Sequence, residues 1–160
     1  MKKLGIMALA IVGFTTGAHA APTSDTASAR ATLIVKKKIH ITKVKDLEFG
    51  EAYQGDAADT VAPADSAGRN AEFKVTGREG GVFTIDLPDN GTVIMTTGDG
   101  TTADKQVAVQ DFVSNFGGDG ATATIAGDTA LFVGATRAAI ADEQQDGEYQ
   151  ASFDVTVAYQ

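Results

Sequence analysis

From Gly147 to Tyr159 the chain alternates apolar and polar residues, and no other stretch restricts its fold so tightly. Successive side chains of a β-strand point to opposite faces, so Tyr149, Ala151, Phe153, Val155, Val157 and Tyr159 share one face. Glu148, Gln150, Ser152, Asp154, Thr156 and Ala158 share the other. One face wants a core and the other tolerates water, which predicts a half-buried strand. Only Gln160 follows it, so the expectation is an outer edge with no later strand to cover it. An open edge is a place where another chain can add a strand, and assembly is the first functional expectation.

The opposite end predicts export. Met1-Lys2-Lys3 is a short basic start, Leu4 to Phe14 is apolar, and Ala18-His19-Ala20 has the small-x-small form of a cleavage site. Residues 1–20 therefore read as a signal peptide, with an N-terminal arm over 21–30 and a single domain over 31–160. The apolar run is shorter than the roughly 20 residues a membrane span needs. The expected location is the periplasm, the cell surface or the medium. Cleavage removes Lys2 and Lys3 and takes the net charge from −8 to −10, an acidic surface unsuited to phosphate backbones. The one basic cluster, Lys36-Lys37-Lys38 with Lys43 and Lys45, reads as a charged strand edge. Cysteine is absent, which excludes disulfides, thiol catalysis and cysteine-metal sites and leaves packing and backbone pairing to hold the fold.

Strands are expected at 31–35, 39–44, 46–50, 71–76, 82–87, 92–96, 106–112, 121–125, 130–133 and 148–159, where branched or alternating residues concentrate. Glycine and aspartate clusters separate them: Gly80-Gly81, Gly98-Asp99-Gly100, Gly117-Gly118-Asp119-Gly120, Gly127-Asp128 and Asp146-Gly147. Asp89-Asn90-Gly91 has the chemistry of a tight hairpin turn and is expected to join 82–87 to 92–96. Residues 54–70 read as a long surface loop, and 135–145 could form a helical turn. Short strands at this spacing predict an all-β antiparallel sandwich or barrel.

Chemistry is sparse. His40, between Ile39 and Ile41, faces away from them in a strand and has no second histidine in the domain to share a metal or a relay. No Gly-x-Ser-x-Gly elbow occurs, and carboxylate pairs are available in any chain this acidic. The expectation is no enzyme, no catalytic residue, no cofactor and no resident metal. A calcium site built from Asp99, Asp104, Asp119 and Asp128 is the alternative that the glycine-rich loops leave open. Asx turns account for the same residues. A surface glycan is a weaker ligand class, since tryptophan is absent.

Asp46-Leu47-Glu48-Phe49-Gly50-Glu51-Ala52-Tyr53 resembles the Leu-x-Phe-Gly motif near the start of archaic chaperone-usher pilins and spore-coat-like secreted proteins. The C-terminal strand is similar to the pilin end motif as well, with Gly147 near its start and Tyr159 penultimate. The chain resembles a family of secreted bacterial pilin-like β-sandwiches catalogued as a domain of unknown function. That resemblance implies an immunoglobulin-like sandwich lacking a strand, which a periplasmic chaperone and then the arm of a neighbouring subunit supply. Gly147, Tyr149, Phe153, Val155, Val157 and Tyr159 would border the assembly groove, Leu47, Phe49 and Gly50 would carry the family motif, and Ala29, Ala31, Leu33 and Val35 would form the donor strand. Those last four residues also suit an internal first strand, so two readings stand: a structural or adhesive subunit, or a monomeric secreted module that binds calcium or a surface glycan.

Overall fold

Period-two burial builds the two layers. In the computed structural model, which describes residues 24–160, the expected signal peptide lies outside the described residues. Residues 24–39 carry no regular secondary structure, and the β-rich unit is Val35–Gln160. Its strands are β1 (His40–Lys45), β2 (Asp59–Val61), β3 (Ala71–Thr76), β4 (Val82–Asp86), β5 (Val93–Thr96), β6 (Gln106–Ser114), β7 (Thr122–Thr124), β8 (Thr129–Arg137) and β9 (Thr156–Tyr159). One 3-10 turn, Ala103–Lys105, precedes β6. All pairings are antiparallel: β1-β3-β8-β6-β5 forms one sheet, with β2 also on β8, and β7-β4-β9 forms the other. The predicted all-β antiparallel sandwich is the fold. Among the described residues no helix is long and apolar enough to cross a membrane.

The core follows from strand parity. On β3 Ala71, Phe73 and Val75 are buried and Lys74 is exposed; on β8 Leu131, Val133 and Ala135 point inward. Phe83 and Ile85 of β4, Ala123 of β7 and Ile125 meet them from the second sheet. Each such side chain contributes about 1.5–3 kcal/mol on full burial, so with no disulfide the packed faces carry the fold. Gly134 of β8 is required by contact rather than by φ: a Cβ there would strike the Val61 carbonyl, with Ala62 C and Pro63 N only 2.7 and 2.8 Å away. Its absence lets β2 and the following turn cross the sheet.

Several expectations are corrected. The expected strand over 148–159 pairs as a strand only at Thr156–Tyr159, because its partner ends early. β4 stops at Asp86, and Pro88, the next residue whose N–H would face β9, has none to offer. Upstream of β9 only Gln150 is bridged, to Thr96. Burial alternates all the same, with Phe153, Val155, Val157 and Tyr159 half-buried and Asp154, Thr156 and Ala158 exposed. Asp89-Asn90-Gly91 is not a hairpin, since β4 and β5 lie in different sheets. Asn90 instead braces β6: its Oδ1 accepts from the Asp111 N–H (2.6 Å) and its Nδ2 donates to Asp111 Oδ1 (3.0 Å). Asp111 sits at positive φ within a register shift of β6, a bulge held by a side chain from the neighbouring turn. The loop over 54–70 contains β2, the possible helical turn at 135–145 is replaced by the end of β8 and irregular chain, and neither 31–35 nor 46–50 is a paired strand.

Candidate functional site

The sandwich is open on one side. β1 ends one sheet and β9 ends the other, and no ladder joins them. Along the first edge Ile39, Ile41, Leu47 and Phe49 pack only partly onto the core, and along the second Phe153, Val155, Val157 and Tyr159 do the same. Two facing rows of half-covered apolar side chains, each beside backbone without a ladder partner, are the features of a position where a further strand fits. β1 and β9 come near each other, and between the chain segments that adjoin them lies a groove of about 1160 Å³.

Residues 46–54 form one wall of this groove and 144–153 the other, over a floor of Ala71, Phe73, Met95 and Val107. Phe153 anchors the second wall. Its ring meets Phe112 at a centroid distance of 5.1 Å and Phe73 edge-on at 6.5 Å. Gly147 turns the chain into that wall at φ +152°, where a Cβ would collide with the Thr97 side chain. Only glycine combines that backbone angle with so close an approach. At the other end of the strand the Tyr159 hydroxyl accepts from the Arg78 N–H (2.6 Å).

Polar groups close the Gly147 end. Gln144, buried, donates from Nε2 to the carbonyls of Asp104 (2.7 Å) and Gln106 (3.1 Å) and to the Tyr149 hydroxyl (3.0 Å), and its own carbonyl accepts from Gln54 Nε2. Arg137, 6% exposed, is also part of the groove lining. Its Nη1 donates to the carbonyls of Ala57 (3.1 Å) and Ala138 (3.0 Å), while its buried Nε has no partner. Among the described residues no carboxylate pairs with it, although Lys43–Asp46, Arg69–Asp59, Arg69–Asp65, Lys74–Asp128 and Lys105–Asp99 are all ion pairs.

Of the residues singled out by sequence, Gly147, Tyr149, Phe153, Leu47, Phe49 and Gly50 line the groove. Val155, Val157 and Tyr159 extend its second wall along the core. Ala29, Ala31, Leu33 and Val35 are exposed, with Leu33 and Val35 at 86% and 84%. His40 is exposed on β1. The four loop aspartates have separate partners or positions: Asp99 pairs with Lys105, Asp128 with Lys74, Asp119 accepts from Leu87, and Asp104 lies in the 3-10 turn. Among the described residues no three His, Cys, Asp or Glu side chains gather as a metal site. The Lys105 ammonium and the Thr101 N–H hold the Asp99 carboxyl below its ordinary value. Burial pushes the Asp65 carboxyl upward, but hydrogen bonds from Arg69 and Ala67 outweigh it and leave Asp65 below its ordinary value. Arg137 and Gln144 went unnoticed in the sequence. The signal for Arg137 was present, since it continues the parity of Leu131, Val133 and Ala135 into the interior.

Fold and groove together define an antiparallel β-sandwich left open between its edge strands. A family model described as Domain of unknown function (DUF4402) matches residues 39–159, and the chain belongs to that family. No curated protein matches it.

Proposed function

We propose that this chain is an exported structural or adhesive subunit of pilin type that assembles by strand donation. The occupant of its open edge is the arm of a second copy, residues 29–35. The observation that carries the reading is the pair of half-covered apolar rows, Ile39 to Phe49 and Phe153 to Tyr159, flanking an unpaired gap. Exposed Leu33 and Val35 with Ala29 and Ala31 at period two offer the complementary apolar face. Burying those four side chains contributes about 5 kcal/mol gross, before backbone pairing and against the ordering of the arm. The arm must also part β1 from β9 where they approach, so donation is coupled to a local opening of the sandwich. A periplasmic chaperone that holds the edge before assembly belongs to the same reading. No catalytic step or cofactor enters it.

The test is light scattering after size exclusion on the full chain beside a Leu33→Asp, Val35→Asp double variant. Strand donation predicts heat-resistant head-to-tail multimers for the first and monomers for the second, with both chains equally folded by circular dichroism. A wild-type chain that stays monomeric at high concentration refutes it, and the glycan- or calcium-binding module then takes its place.

A further inference from the structure

Arg137 is a buried cation in the groove lining with no carboxylate at ion-pair distance among the described residues; Asp59, opposite it on β2, is taken by Arg69. Two of its five N–H donors are satisfied by carbonyls, its Nε is buried and unpartnered, and the side chain lines the groove. Buried polar groups are nearly always bonded and buried charges nearly always paired. A guanidinium with its Nε unused has the fork geometry of a carboxylate receptor.

The donor arm carries one carboxylate. Between Ala21 and Lys45 the only acidic residue is Asp25, and it is odd-numbered like Ala29, Ala31, Leu33 and Val35. In an extended arm all five point to the same face. A strand that turns its apolar side chains into the sandwich therefore turns Asp25 inward as well, where an unpaired carboxylate is costly. We infer that Arg137 of one copy binds the carboxylate of Asp25 from a second copy, and that this buried ion pair sets the direction and register in which the arm enters. The inference rests on the strand-donation reading and names its specificity contact.

Register supports the pairing. Six residues of β8 separate Arg137 from Leu131, which pairs with Phe73, a span of about 20 Å at strand rise. With Asp25 at Arg137, the small Ala27, Ala29 and Ala31 lie over the part of the core that Phe73, Phe112 and Phe153 already fill. Leu33 and Val35 then reach the rows of Ile41, Val157 and Tyr159, where coverage is incomplete. The arm runs antiparallel to β1 in this arrangement. Reversed, it would carry Lys36-Lys37-Lys38 to the Arg137 end. The acids lining the groove, Asp46, Glu48, Glu51, Asp146 and Glu148, are all exposed and screened by water, whereas the buried Arg137 is not.

The experiment measures multimer lifetime by size exclusion with light scattering after dilution of full-length wild type, Asp25→Asn, Arg137→Gln and the double variant, with Leu33→Asp, Val35→Asp as the arm control. Each single substitution is expected to shorten the lifetime on the order of tenfold, as a charge-assisted hydrogen-bond pair warrants, and the double variant no further. Asp25→Asn leaves the sandwich untouched, so it carries the test even if Arg137→Gln fails to fold, with Asp25→Glu expected to restore part of the lifetime. Asp25→Asn multimers as durable as wild type, or losses that add in the double variant, overturn the Arg137 contact while leaving strand donation standing. Wild-type chain without multimers overturns both.

Discussion

Replacing Phe153 by alanine tests whether the C-terminal wall of the groove is part of the core or merely lies on it. A phenylalanine buries about 150–250 Å² when fully covered; Phe153 is half-buried, so about 100 Å² is at stake, or about 2.5 kcal/mol at 25 cal/mol per Å². Losing the ring contacts with Phe112 and Phe73 adds about 1 kcal/mol, and the alanine methyl recovers a little. The expected loss is about 3 kcal/mol, which for a domain of this length lowers the melting temperature by about 10 °C. Thermal unfolding followed by circular dichroism measures it, with Asp154→Ala as the neighbour that faces water and should shift melting by less than about 2 °C. Equal, small shifts for both would refute the argument, because they would mean that the alternation from Gly147 to Tyr159 assigns no face to the core before β9 begins.

Other consequences follow from close contacts and charge. Gly134→Ala forces a methyl group against the Val61 carbonyl and the backbone beyond it, so it should cost about 2–4 kcal/mol as overpacking with loss of β2 pairing; hydrogen exchange at residues 59–61 should rise with it. Asp65 and Asp99 have carboxyls held below the ordinary aspartate value of 3.8. Their stabilisation is complete above 3.8 and disappears as the pH falls through the lower folded-state values. Arg69→Gln and Lys105→Gln should therefore move the acid-unfolding midpoint to higher pH, read by circular dichroism across an acid titration.

Local pattern was a good guide where one strand buries one face. β3 matches the expected 71–76, and β4, β5, β6 and β7 fall within two residues of their expected bounds, because Phe73, Phe83 and Val107 mark their inward positions without reference to any partner. The groove walls were legible for the same reason: Leu47 and Phe49, like Phe153 to Tyr159, alternate in a way that one-sided burial explains. The irregular loops were also legible in part, since the turn residues between 117 and 128 separate β6, β7 and β8 as expected.

Partnership was decided elsewhere. The sequence by itself determined the class of fold, the parity of each strand and the apolar faces flanking the open edge, because a two-residue period is a local property. Only the tertiary structure decided that Asp89 to Gly91 crosses between sheets, that β9 loses its ladder once β4 ends at Asp86 before Pro88, and that β2 forms within an apparent loop. It alone placed Arg137, four residues past Val133 on one strand, in the lining of the same groove as Gln144. Hydrogen-bond partners and counter-ions come from distant parts of the chain, and no local period encodes them.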